Sequence, residues 1–221
     1  MTSVRSNRGG QLSTLYVNIY MSDNPARVPP NCSFEIDDYE AEWPYVIPFD
    51  YIHGRELAGS IKDIDRLCSQ AFDHLRPGGW FELQSFRVEL FADDDSLQKA
   101  QFTAQCIGLL QEAATRFGKP VANMDEWPAA LTRAGFQDVA LRIIKVPMSP
   151  WPKDPKQKEI GRYMEVEQHQ AIPGYANALL SRVLGWSQDE INVLVAHVKS
   201  ELKDRSIHQY TRLYIVYGRK P

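Results

Sequence analysis

The sequence predicts an α/β domain built on a mostly parallel sheet with helices on both faces. Three observations carry this. Short runs rich in β-forming residues alternate with longer runs at helical spacing over most of the chain. Clusters of proline, glycine and asparagine separate these runs. The 221 residues, 43% of them hydrophobic, suit one domain with a substantial core.

The elements follow in order. Residues 1–11 are polar and glycine-bearing and read as a disordered leader. Leu12–Met21 (LSTLYVNIYM) is a strand, and SDNPARVPPN (22–31) is turn chemistry. CSFEIDD (32–38) alternates into a short strand that ends in acids. FDYIHGREL (49–57) is a strand running into a loop. In SIKDIDRLCSQAFDHL (60–75) the apolar residues recur every three or four positions, a helix with Ser60 as its N-cap. Pro77–Gly78–Gly79 is expected to stop that helix and reverse the chain into the strand WFELQSFRVEL (80–90). A helix over 95–117 follows, then a short one over about 125–134 from Asp125 to Gly135. FQDVALRIIKVPM (136–148) is a strand. Helices over about 157–182 and 187–203 lie in a helical insertion, about 151–208, before the closing strand 209–219. No repeat and no second core is evident, so residues 12–221 read as one domain.

Composition narrows the function classes. A formal charge of -3 without a long basic run leaves no nucleic-acid footprint. Cys32, Cys68 and Cys106 have no paired spacing, so neither a zinc site nor a disulfide framework is expected; they read as reduced, buried thiols. No apolar run is long enough for a membrane span, and MTSVRSNRGGQ has no apolar signal region. An intracellular protein is expected, cytoplasmic or nuclear.

Five segments taken together resemble the fungal LaeA-like family of class I S-adenosylmethionine-dependent methyltransferases. They are VPPNCSFEIDDYEAEW (28–43), FDYIHGREL (49–57), FDHLRPGGWFELQ (72–84), EWPAALTRAGF (126–136) and the ending GWSQDEINVL…ELKDRSIHQYTRLYIVYGRKP (185–221). PGG alone is common, whereas FDYIHGR followed at this distance by LRPGGWFELQ is specific. The resemblance implies a Rossmann-like, three-layer αβα fold, and methyl transfer from S-adenosylmethionine to a small secondary metabolite or a protein. In that family a G-x-G-x-G-type loop precedes this region and lets the backbone approach the cofactor. Gly9–Gly10 is the only glycine pair near the N-terminus and precedes a strand, so the chain reads as N-terminally shortened, with that loop missing. Leu12–Met21 is then either the family's second strand or a substitute for its central one.

The resemblance also implies roles. Asp37 or Asp38 accepts a hydrogen bond from the cofactor's adenine amino group. His53, Gly54 and Arg55 border the cofactor: Gly54 permits close approach, Arg55 pairs with a carboxylate, and His53 is the base to test first. The plainer readings are a structural histidine and a structural ion pair. Trp80, Glu82 and Gln84 alternate onto one strand face, and a buried glutamate there needs a partner, either Arg55 or His53. Trp151, Tyr163 and His169, in the insertion, are candidate acceptor-binding residues; an exposed helix face is the plainer reading. A second function class is a catalytically inactive methyltransferase-fold module that binds a protein partner, such as a velvet-domain protein, to regulate secondary metabolism.

Overall fold

The computed structural model describes residues 2–6, 13–18, 32–36, 38–121 and 123–221, with backbone alone discussed for 2–6, 16–18 and 32–36. Seven strands form one sheet in the order β3-β1-β2-β4-β5-β7-β6. These are β1 (Thr2–Ser6), β2 (Thr14–Asn18), β3 (Cys32–Ile36), β4 (Phe49–Arg55), β5 (Leu75–Phe86), β6 (Gln137–Pro147) and β7 (Tyr210–Arg219). β2, β4 and β5 run parallel, while β1 is antiparallel to both β2 and β3. The helices are α1 (Ile64–Asp73), α2 (Gln101–Arg116), α3 (Trp127–Arg133), α4 (Pro155–Ala176), the single turn α5 (Arg182–Leu184) and α6 (Gln188–Lys203). This is the α/β architecture the alternating pattern predicts.

The N-terminus departs from expectation. Thr2–Ser6 is a strand, where composition predicts disorder. It has a neighbour on each side, so ladder bonds satisfy its backbone despite polar side chains. The run Leu12–Met21 contributes β2, which lies parallel beside β4 and so takes the central alternative. Pro77–Gly78–Gly79 is not a reversal but the opening of β5. Gly78 adopts φ 82°, its N–H donates to the Lys220 carbonyl, and a Cβ on Gly79 would stand 2.9 Å from the Asp50 carbonyl oxygen.

The helices begin where side chains cap them. Asp63, not Ser60, caps α1 by accepting from the Arg66 N–H. Ser60 instead donates its hydroxyl to the Leu57 carbonyl. Asn123 caps a 3₁₀ turn ahead of α3, where Asp125 was the expected cap, and Gly135 ends that helix with φ 101°. The expected helix over 95–117 is a 3₁₀ turn (Asp95–Lys99) followed by α2.

The chain divides into two compact units. The first comprises residues 1–86, 122–143 and 214–221; the second comprises 87–121 and 144–213. The first has a core of Ile52, Phe81 and Leu83 from β4 and β5, Leu67, Cys68 and Ala71 from α1, and Trp127 and Leu131 from α3. The second has its own core of Cys106, Ile172, Leu180, Ile191, Val198 and Leu202. The period of α2, α4 and α6 announces helices but does not say that they pack on one another, which is why this second core escaped the sequence. Burial pushes the Cys68 thiol up to about 12 and the Cys106 thiol to about 11, so both are inert structural thiols.

Candidate functional site

In a parallel sheet the carboxyl ends of the strands are where ligands meet the fold. Here those ends are in register: Asn18 of β2 lies beside Arg55 of β4, and Arg55 beside Gln84 of β5. The same register sets His53 beside Glu82 and Tyr51 beside Trp80. Alternation then puts Tyr51, His53 and Arg55, together with Trp80, Glu82 and Gln84, on one face, opposite the core face of Ile52, Phe81 and Leu83.

On that face a polar cluster forms. His53 Nδ1 lies 3.2 Å from Glu82 Oε1, with side chains 12% and 21% exposed. Gln84 Nε2 donates to the same Oε1 at 2.7 Å, and the Tyr51 hydroxyl lies 3.3 Å from His53 Nδ1. Hydrogen bonding from His53 holds the Glu82 carboxyl below the usual range against the opposing effect of burial; Gln84 and Tyr51 add to the lowering. So the glutamate's partner is His53, one of the two alternatives weighed, and not Arg55. Arg55 is exposed at the strand end and forms no ion pair among the described residues. Sequence reasoning missed Tyr51, although its place two residues before His53 is the signal that puts both on one face.

Gly54 has a packing reason. A Cβ there would come within 2.7 Å of Leu83 Cδ2 and 2.9 Å of Leu57 Cδ1. The side chains of Leu83 on β5 and of Leu57 pack close against this glycine. Glu56, at φ 55°, turns the chain across the end of β5: its N–H donates to the Gln84 carbonyl at 2.8 Å, and its Oε2 accepts from the Phe86 N–H. At the other end of β4, Asp50 accepts from the Ser13 N–H and hydroxyl and from Arg76.

Asp37 lies outside the described residues. Asp38 is exposed just beyond β3; its Oδ1 accepts from the Glu40 N–H at 3.0 Å, within the turn it opens.

In the second unit the three candidate acceptor residues do not share a lining. Trp151 donates its indole N–H to the Gln209 carbonyl at 2.9 Å and packs its ring on His208 at 5.0 Å. Tyr163 is 71% exposed on α4. His169, six residues further along α4, is turned by about 240° from it. Its Nε2 is buried with no partner among the described residues, and burial keeps its pKa below the usual histidine value, with Lys203 and Lys199 adding to the effect. Tyr163 and His169 therefore face different ways on α4. Among the described residues no cluster of His, Cys, Asp or Glu could hold a metal ion, and no helix is long and apolar enough to cross a membrane.

Comparison with known proteins gives the lineage. Residues 11–141 match the model of the methyltransferase domain family. The chain is 36% identical over 200 residues to methyltransferase pytC of Aspergillus terreus, covering 89% of this chain and 61% of that protein. It is 34% identical over 187 residues to the probable methyltransferase tdiE of Emericella nidulans, covering 85% and 59%. It is 32% identical over 200 residues to the protein-methionine methyltransferase laeA of Emericella nidulans, covering 89% and 53%. The chain thus spans between about half and three fifths of the length of these relatives. A family match over more than half of its residues places this chain in the methyltransferase domain family, and its relatives include fungal LaeA proteins.

Proposed function

We propose that the chain belongs to a methyl-transfer machine that uses S-adenosylmethionine and acts on a small secondary metabolite or a protein inside the cell, in cytoplasm or nucleus. The observation that carries this reading is the His53–Glu82 pair, set beside the carboxyl ends of β2, β4 and β5. Methyl transfer asks little of a protein beyond alignment, and a base where the acceptor carries a proton. His53 is that base.

The residues fit the cofactor at two places. Asp38 follows β3 on the carboxyl side and is exposed there to accept from an adenine amino group. Arg55 offers an exposed guanidinium at the end of β4 to the cofactor's carboxylate. Once bound, the cofactor supplies an already activated methyl group. The chain's residues orient the acceptor and take its proton.

One observation favours a second reading. No glycine stands between Gly10 and Gly54, so the segment after β2 lacks the residues that admit close backbone approach. On this reading the module binds a protein partner, such as a velvet-domain protein, without turning over.

Calorimetric titration with S-adenosylhomocysteine separates the two. The methyl-transfer reading predicts saturable but weak binding, about −4 to −6 kcal/mol, since no glycine stands between Gly10 and Gly54 to admit close backbone approach. Asp38→Ala should weaken it roughly tenfold, about 1.4 kcal/mol. No heat from folded protein at millimolar ligand would overturn the first reading in favour of the second.

A further inference from the structure

We infer that the loop 44–48 is a docking point for another protein, one that offers an apolar groove rimmed by lysine or arginine. The loop runs into the amino end of β4, and Arg55 ends that strand at its carboxyl end. The inference therefore does not rest on the methyl-transfer reading.

Val46 is 94% exposed and Ile47 64%, and Ala41 and Pro44 are exposed just before them in the chain. Single apolar residues scattered over a surface need no explanation. Two adjacent β-branched side chains this open keep apolar area in water that a partner could remove. The rest of the segment is anchored inward. Trp43 and Phe49 are buried, and the Tyr45 ring meets them edge-on at 5.9 Å and 5.3 Å. Hydrogen bonds pin both ends. The Trp43 N–H donates to Gln70 Oε1 and its indole N–H to the Tyr39 carbonyl, while the Phe49 N–H donates to the His74 carbonyl. Pro44 and Pro48 fix φ on either side of the tip. A tip held in this way gives up little conformational freedom when it docks.

Charge selects the occupant. Between Arg27 and Arg55 the chain carries six acidic residues and no lysine or arginine. Asp38 and Glu42 among them are exposed. Such a surround repels anionic lipid and the same tip of a second copy, and it attracts a basic rim. The two aliphatic side chains then fill the groove while the acids face the rim.

The test follows the Val46 and Ile47 methyl resonances by NMR as a synthetic amphipathic helix of leucine and lysine is titrated in. Both should shift saturably, and raised salt should weaken the binding. The glutamate counterpart of the peptide should leave them unmoved. Val46→Ser combined with Ile47→Ser should weaken the lysine peptide about tenfold without lowering Tm, since both positions are exposed. No shift at these methyls, or unchanged affinity in the double variant, would overturn the docking role of the tip. Equal binding of the glutamate peptide would overturn the basic rim. Concentration-dependent shifts without peptide would assign the tip to a second copy. A response to phosphatidylcholine vesicles but not to the peptide would assign it to a membrane. Either of these would also overturn the inference.

Discussion

The β4–β5 pair and helix α4 each carry candidate residues, and they treat them differently. On β4 and β5, His53 and Glu82 stand far apart in sequence yet meet at 3.2 Å, because two parallel strands in register bring every second residue of each onto a shared face. On α4, Tyr163 and His169 are near in sequence yet face different ways, because six residues is not a whole number of turns. Proximity in sequence is a poor guide to a site; period and register are better ones. The strand pair brings its polar residues into contact, whereas α4 presents an outer face and packs against α6 with the other.

Substitutions in the two regions should differ in cost. The largest effect is expected where the strand pair meets its core. Phe81→Ala removes a fully buried ring from β5 and should cost about 3–5 kcal/mol in urea unfolding. In the helical unit, Gly161 of α4 faces the Ser149 carbonyl, and a Cβ there would stand 2.3 Å from that oxygen. Gly161→Ala should therefore cost about 1–3 kcal/mol, seen as a lowered Tm. Ser187→Ala breaks the capping box that starts α6 and should cost about 1 kcal/mol in the same melt.

A pH series addresses the site itself. Hydrogen bonding from His53 holds the folded-state Glu82 carboxyl below the ordinary carboxylate range, so this stabilisation is fully present at pH values above that range. It is lost as the pH falls further, through the folded value. Glu82→Leu should flatten that part of the acid-unfolding curve relative to wild type, and an unchanged curve would mean that the pair contributes nothing to folding. The smallest effect is expected on α4: Tyr163→Ala, at an exposed position, should leave stability within about 0.5 kcal/mol.

Much of this was legible in the sequence because it follows from period. The alternation Trp80, Glu82, Gln84 predicted a shared face, and the need to pair a half-buried glutamate predicted His53 or Arg55 as its partner. What escaped depended on competition among contacts. Thr2–Ser6 has no apolar pattern, yet two neighbouring strands accept its backbone. Pro77–Gly79 carries turn chemistry, but pairing with Lys220 draws it into β5. Ser60 and Asp63 are both plausible caps, and the Leu57 carbonyl takes the Ser60 hydroxyl. Gly54 read as an opening toward ligand, whereas Leu57 and Leu83 fill that space.

On the proposed function, His53 and Glu82 border the place where the cofactor binds. The most direct test of this follows the His53 imidazole resonances by NMR while S-adenosylhomocysteine is titrated in. The expected result is a saturating shift of His53 whose midpoint matches the calorimetric one and moves to higher ligand concentration in Asp38→Ala. Calorimetric binding with no response at His53 would contradict it, since the cofactor would then sit away from the pair on which the proposed chemistry depends.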